Sequence, residues 1–321
     1  MAYFDSIRDT DSWLARYQEI TLDESLALNS TSLTDAGLVY LQGLQNLKAL
    51  NLDNTAITDA GLSYLRGLTK LEKLSIRGTQ ITDAGLIYLQ ALTGLQELTL
   101  AETSITDAGI VYLRKLTALR KLSLYDTRVS DAGLAYLEDL TALQVISLGK
   151  TLLTDAGLAH LRGLTALQEI ELANTAVEGA GIADLQGFPE LRRFNASGTK
   201  ISDVGVARLQ SFITLEELDL SGTSVGDRGV ASLRSLPSIQ GLDLSSTDVS
   251  DAGMAHLSYL IALERLYLSN TVITDAGLDH LRSLTSLQWL DVAGSNVTVD
   301  GLLSLAEALP RCEFELYREA D

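Results

Sequence analysis

The 321-residue chain has one cysteine, three prolines and three histidines, and its aromatic residues make up only 6%. A single thiol, Cys312, cannot close an intramolecular disulfide, so the fold has no covalent staple and suits a reducing compartment. Positive charge is the scarcer sign. Against 42 Asp and Glu stand 24 Lys and Arg, and the net charge of −18 argues against a phosphate backbone as partner. No apolar stretch reaches spanning length, and the opening "MAYFDSIRDTDSWLARYQEI" carries charges where a secretory signal needs its apolar segment. A cytoplasmic chain without membrane or nucleic-acid partners is expected. Phosphate-binding G-x-x-x-x-G-K-[ST], H-E-x-x-H and G-x-S-x-G are all missing, so neither an enzyme nor a cofactor is expected.

What the chain does have is repetition. "TDAGLSYLRGLTKLEKLSIRGTQI", residues 58–81, recurs in register, and its glycine returns every 24 residues from Gly37 to Gly301, twelve times without insertion. A strict period of this length marks a solenoid. Within each unit the apolar pattern changes. Leu62, Leu65 and Leu68 fall three apart, as on a helix face, whereas Leu74 and Ile76 alternate with Lys73, Ser75 and Arg77, as on a strand. A helix of about nine residues is marginal alone, and one short strand cannot cover its own apolar face. Stacked units solve both problems through one continuous core.

Leu71, Leu74, Ile76, Thr79 and Ile81 spell L-x-x-L-x-L-x-x-T-x-I, which resembles the leucine-rich repeat, with threonine where asparagine or cysteine is usual. The resemblance covers residues 23–316. It is nearest to tandem repeats of the "TDAGLxxLxxLxxLxxLxLxxTxI" type in environmental bacteria, and more distant from the repeats that follow F-box domains in ubiquitin-ligase adaptors. It implies an α/β solenoid: a horseshoe with a parallel sheet on the concave face and short helices on the convex face. The expected organisation is an N-terminal capping helix within 1–22, centred on Trp13, Leu14 and Tyr17 with Ile7 and Ile20 nearby; twelve repeats over 23–309; and a C-terminal capping strand and tail over 310–321.

The repeated polar residues have structural readings. Thr58 followed by Asp59 reads as a helix N-cap with an acid in the first turn, and the aspartate column from Asp35 to Asp275 follows from it. One carboxylate per turn supplies too few oxygens for calcium. The column from Thr31 to Thr271, closed by Ser295, is expected to point inward and satisfy turn backbone groups, rather than form an exposed ice-binding ladder. His160, His256 and His280 share a helix column with Tyr40, Tyr64, Tyr88, Tyr112 and Tyr136 that also holds Asp184, Arg208 and Ser232 and so reads as half-exposed, and no cysteine or third histidine joins the last two as a metal site. Glu178 and Gly179 break the cap column. Cys312 is expected to pack with Leu309, Phe314 and Leu316 in the closing strand.

Function must then lie in the strand residues that face outward. One outward column, Lys73, Glu97, Lys121, then Glu169, Arg193 and Glu217, alternates in sign and is expected to pair across strands. The next, Glu171, Asn195, Asp219, Asp243, Tyr267 and Asp291, does not alternate. Beside it run Ser197, Ser221, Ser245 and Ser269. Together they predict a smooth acidic trough ending in Arg265, Tyr267 and Trp289, with the two aromatic rings exposed as anchors. Arg77, Lys121, Tyr125 and Arg128 form a second, more basic candidate. The reading is a non-enzymatic protein-interaction module whose concave sheet takes a protein or peptide with a basic segment. The alternatives are a duplicated or consensus-designed scaffold without a selected ligand, and the substrate-recognition part of a ubiquitin-ligase-like adaptor.

Overall fold

A computed structural model describes residues 9–17 and 24–316. The chain divides into two compact units, 1–153 and 154–321. Unit 1 contributes β1 (Ser25–Ala27), β2 (Ala49–Asn51), β3 (Lys73–Ser75), β4 (Glu97–Thr99), β5 (Lys121–Ser123) and β6 (Val145–Ser147), each parallel to the next and shifted by 24 residues in register. Unit 2 contributes β7 (Glu169–Glu171), β8 (Arg193–Asn195), β9 (Glu217–Asp219), β10 (Gly241–Asp243), β11 (Arg265–Tyr267), β12 (Trp289–Asp291) and β13 (Glu313–Glu315), paired in the same way. Each unit is thus the expected solenoid of strand and short helix. The central residues of β2 to β12 point inward: Leu50, Leu74, Leu98, Leu122 and Ile146 in unit 1, and Ile170, Phe194, Leu218, Leu242, Leu266 and Leu290 in unit 2, are all buried. Phe194 and Ala196 replace the usual leucine pair, large then small, and both remain buried.

The helices differ from expectation. Instead of about nine α-helical residues, most units have one α turn followed by a 3-10 turn, as in Asp59–Leu62 and Ser63–Leu65. A 3-10 helix has three residues per turn, so residues three apart eclipse. That spacing is the one that Leu62, Leu65 and Leu68 have, and all three are fully buried. The α-helix runs longer in Asp227–Leu233, Asp251–Leu257 and Val299–Ala308.

The aspartate column does more than sit in a first turn. Asp35 accepts hydrogen bonds from the backbone N–H of Thr58 at 2.8 Å and from its hydroxyl at 2.6 Å, both in the following unit. Asp59 does the same for Thr82, and Asp251 for Thr274. The carboxylate therefore staples one turn to the next, while the threonine oxygen accepts from its own helix N–H. This explains the invariant glycine: a Cβ on Gly61 would lie 2.3 Å from Asp35 Oδ1.

The same staple identifies the N-terminal helix. Among the described residues it spans Thr10–Tyr17, and Ile7 and Ile20 lie outside them. Leu14 is buried, and Asp11 accepts from the N–H and the hydroxyl of Thr34 at 3.0 and 2.5 Å. "TDSWL", residues 10–14, thus lines up with "TDAGL", and Asp11 makes the same staple to the following unit.

At Glu178 and Gly179 the staple fails. Asp155 finds only the N–H groups of Glu178, Gly179 and Gly181, Gly179 turns to φ 101°, and the α turn gives way to a 3-10 helix over Ala180–Leu185. With glycine at 179 in place of aspartate, Ser202 makes no side-chain cap bond. Towards the C-terminus Leu309 and Cys312 are buried while Phe314 and Leu316 are half-buried, and burial pushes the Cys312 thiol up to about 11. Among the described residues, no helix is long and apolar enough to cross a membrane.

Candidate partner-binding surface

The turn after each strand sets the geometry of the outward face. In unit 2 it passes through the left-handed region at Asn174, Gly198, Gly222, Ser246, Asn270 and Gly294, with φ between 56° and 72°. Three residues earlier, the last residue of the strand accepts the N–H two positions on. Glu171 takes Ala173 at 3.1 Å, Asn195 takes Ser197 at 2.9 Å, Asp219 takes Ser221 at 2.9 Å, Asp243 takes Ser245 at 2.8 Å and Asp291 takes Ala293 at 2.8 Å. Each non-alternating column residue except Tyr267 therefore closes a turn. Asn195 here, and Asn51 in unit 1 with the N–H of Asp53 at 2.9 Å, close it without charge. The turn needs an acceptor, not an anion, so the negative charge of Asp219, Asp243 and Asp291 exceeds what the fold requires. Burial holds Asp243 above the usual carboxylate range, opposed by its bonds from Ser245 and reinforced by the charges of Asp219 and Asp291.

The threonine column behaves as expected and supports the same turns from below. Thr103 donates to the Leu100 carbonyl at 2.5 Å and Thr223 to that of Leu220 at 2.6 Å, and both residues are buried. The serine row also takes part in the turns: Ser245 and Ser269 are buried, and the Ser221 hydroxyl binds Asp219 at 2.7 Å. The space beside the carboxylates is lined by Ser197, Ser221 and Ser245 together with the turn residues Gly198, Gly222 and Ser246.

Three recesses open on this face of unit 2. The first, about 490 Å³, is lined by Glu169, Glu171, Arg193, Asn195, Glu217, Asp219, Gly241, Asp243, Arg265 and Tyr267 among others. A second, about 600 Å³, shares Asp243 and Tyr267 and adds Asp291, Asn270 and Ser246. The third, about 740 Å³, shares Arg265 and Tyr267 and adds Trp289, Gln288, Arg311 and Glu313. Tyr267 lines all three. It stands between Asp243 and Asp291 in register, while Trp289 stands between Arg265 and Glu313. Both rings are half-buried rather than exposed, and Trp289 Nε1 is buried without a hydrogen-bond partner. Arg265 is not a free cation at the end of a trough: it pairs with Glu217 and lies 3.6 Å from Glu264.

In unit 1 cations of the second candidate face acids and a ring of the same chain. Arg77 pairs with Glu102 at 2.5 Å, which raises the arginine and lowers the acid. Lys121 lies 4.0 Å from Glu97, which pairs with Lys73 at 2.8 Å. The ammonium of Lys150 stands 5.2 Å from the centre of the Tyr125 ring. Arg128 is exposed, beyond the buried Thr127. The recess in unit 1, about 230 Å³, is lined by Asn51, Lys73, Ser75, Glu97 and Thr99 among others, and by none of the four candidate residues. His160 and His256 are half-buried and His280 exposed; among the described residues no three His, Cys, Asp or Glu side chains gather as a metal site.

Segments 43–65, 67–89 and 213–233 match the family model described as Leucine Rich repeat. No curated protein matches the sequence. Among solved structures, an internalin of Listeria monocytogenes is similar over 97% of this chain and 95% of its own, at 23% identity and a TM-score of 0.73. A leucine-rich repeat protein of Leptospira interrogans is similar over 87% of this chain and 74% of its own, at 19% identity and a TM-score of 0.63. The plant peptide hormone receptor RGFR1, solved in complex with RGF2, is similar over 94% of this chain and 52% of its own, at 16% identity and a TM-score of 0.57. These likenesses establish the fold, a solenoid of the kind that leucine-rich repeat proteins adopt, and three of its segments match the leucine-rich repeat model.

Proposed function

We propose that the outward face of unit 2 is a non-enzymatic binding surface for a protein or peptide with a basic segment, in the cytoplasm. The observation that carries this reading is the charge of Asp219, Asp243 and Asp291, which exceeds what their turns need and borders recesses that meet at Tyr267. Like charges aligned on neighbouring strands cost some stability, and a cationic ligand offsets that cost. Tyr267 offers a ring face to a cation or an apolar side chain, and Trp289 a second aromatic wall. The complex of a structurally similar plant receptor with RGF2 supports peptide binding as a use of this fold. The surface differs from one strand to the next in unit 2, which favours recognition over an inert scaffold.

The test is a titration with a capped heptapeptide of alternating glycine and arginine, beside its glutamate counterpart. The arginine peptide binds and associates faster at low salt, because the field steers it. Trp289→Ala weakens binding by more than about 1 kcal/mol through faster dissociation, whereas Asp219→Asn with Asp243→Asn mainly slows association. A loss confined to the control pair Arg77→Ala and Tyr125→Ala would move the site to unit 1.

A further inference from the structure

The first outward column of unit 2 pairs neighbours where it can: Arg193 meets Glu169 on the adjacent strand at 2.5 Å. Arg265 has no such neighbour, because the residue beside it on β10 is Gly241. It pairs instead with Glu217 on β9, two strands away, roughly 9.6 Å of sheet. Gly241 leaves room for the Glu217 carboxylate, which reaches over β10: a Cβ there would lie 1.8 Å from Glu217 Oε2. The first recess therefore has, over the bare backbone of Gly241, a carboxylate that one guanidinium already holds.

We propose that this slot is an arginine subsite, filled by Arg265 when no partner is bound, and that an arginine of the partner takes Glu217 over from Arg265. The inference rests on the peptide-binding reading above and names the side chain that enters. A planar guanidinium forks across two carboxylate oxygens and stacks on a ring; an ammonium does neither. Beyond Glu217, the slot offers Asp219 and Asp243, which take the N–H groups of Ser221 and Ser245 on Oδ1, and the face of Tyr267. The exchange conserves charge. One guanidinium leaves Glu217 as another arrives, and the displaced Arg265 keeps Glu264 within reach at 3.6 Å. Arg265 is then a competitor of the ligand, so its removal has the opposite sign from the loss of a contact.

The experiment titrates capped glycine–arginine and glycine–lysine heptapeptides into the intact protein, Arg265→Gln and Arg234→Gln. Arg234 is exposed at the end of the helix Asp227–Leu233, so its variant carries the same change in net charge away from the slot. Arg265→Gln is expected to bind the arginine peptide about three- to fivefold more tightly than Arg234→Gln, the scale of one exposed ion pair. The lysine peptide should show no such difference. In the intact protein the Arg265 Nε–Hε resonance should move with the arginine peptide. Equal or weaker binding by Arg265→Gln, or a stationary resonance, would overturn the subsite. If Asp219→Asn with Asp243→Asn still weakens binding in that case, the peptide surface stands and only the arginine slot falls; if it does not, the surface itself is misassigned.

Discussion

Units 1 and 2 share one backbone and differ in what they show to solvent. In both, strand leucines, inward threonines and aspartate staples recur every 24 residues. The outward strand-end column of unit 1 is neutral, with Asn51, Ser75, Thr99, Ser123 and Ser147, and its turns carry long side chains whose charges answer one another, Arg77 with Glu102 and Lys150 with Asp126. In unit 2 the column is acidic and the turns are small. Charge satisfied within the chain leaves little for a partner, whereas the surplus at Asp219, Asp243 and Asp291 remains available. The inward residues set the scaffold and the outward ones set its use.

If the scaffold is common to both units, core truncation should cost the same in each. Leu148→Ala in unit 1 and Leu244→Ala in unit 2, both fully buried, should each lose about 2–5 kcal/mol by calorimetry, from lost transfer energy plus a cavity. Ser123→Ala, on the outward face, should change little. A large difference between the two leucines would show that the units are not energetically alike.

The inward threonines come next. Thr103→Val and Thr223→Val keep the shape but leave the Leu100 and Leu220 carbonyls without their donor, at a cost of about 1–3 kcal/mol each. An unchanged melting temperature in either unit would contradict the hydroxyl's role.

The smallest effect separates the units. Asp219→Asn with Asp243→Asn keeps the turn acceptor, as Asn195 and Asn51 do, and removes repulsion, so folding stability at neutral pH should stay level or rise slightly. The pH dependence follows from Asp243. Its folded value lies above its ordinary 3.8, so in the window between them the folded state binds more protons than the unfolded state, and stability falls as pH rises. The double variant should flatten that slope in thermal melts between acidic and neutral pH. A marked loss of stability would mean that the carboxylates hold the fold and are not surplus.

The period, the strands and the inward threonines were legible in the sequence because each depends on residues inside one unit. What depends on contacts between units was harder to see. The aspartate staple joins residues 23 apart, so Asp35 read alone is only a first-turn acid. The staple at Asp11 was visible in principle, since Asp11 stands 24 residues before Asp35, but Trp13 replaces the glycine and hides it. The left-handed turn could have been found from the Asn and Gly that precede many column threonines, as at Asn54, Gly78, Asn174 and Gly198; Glu102 and Lys150 at the same position blur the signal. Columns gave the outward neighbours correctly but not side-chain reach: Arg265 pairs across a strand because the Glu217 carboxylate reaches over Gly241, and Ser245 and Ser269 are buried.

The most direct test of the difference between units is a map of backbone amide shifts on titration with the capped glycine–arginine heptapeptide. The account predicts shifts confined to unit 2, centred on β9 to β12 and on the turns at Gly222, Ser246 and Asn270, with Tyr267 among the largest. Shifts centred on Arg77, Tyr125 and Arg128 in unit 1 would contradict it.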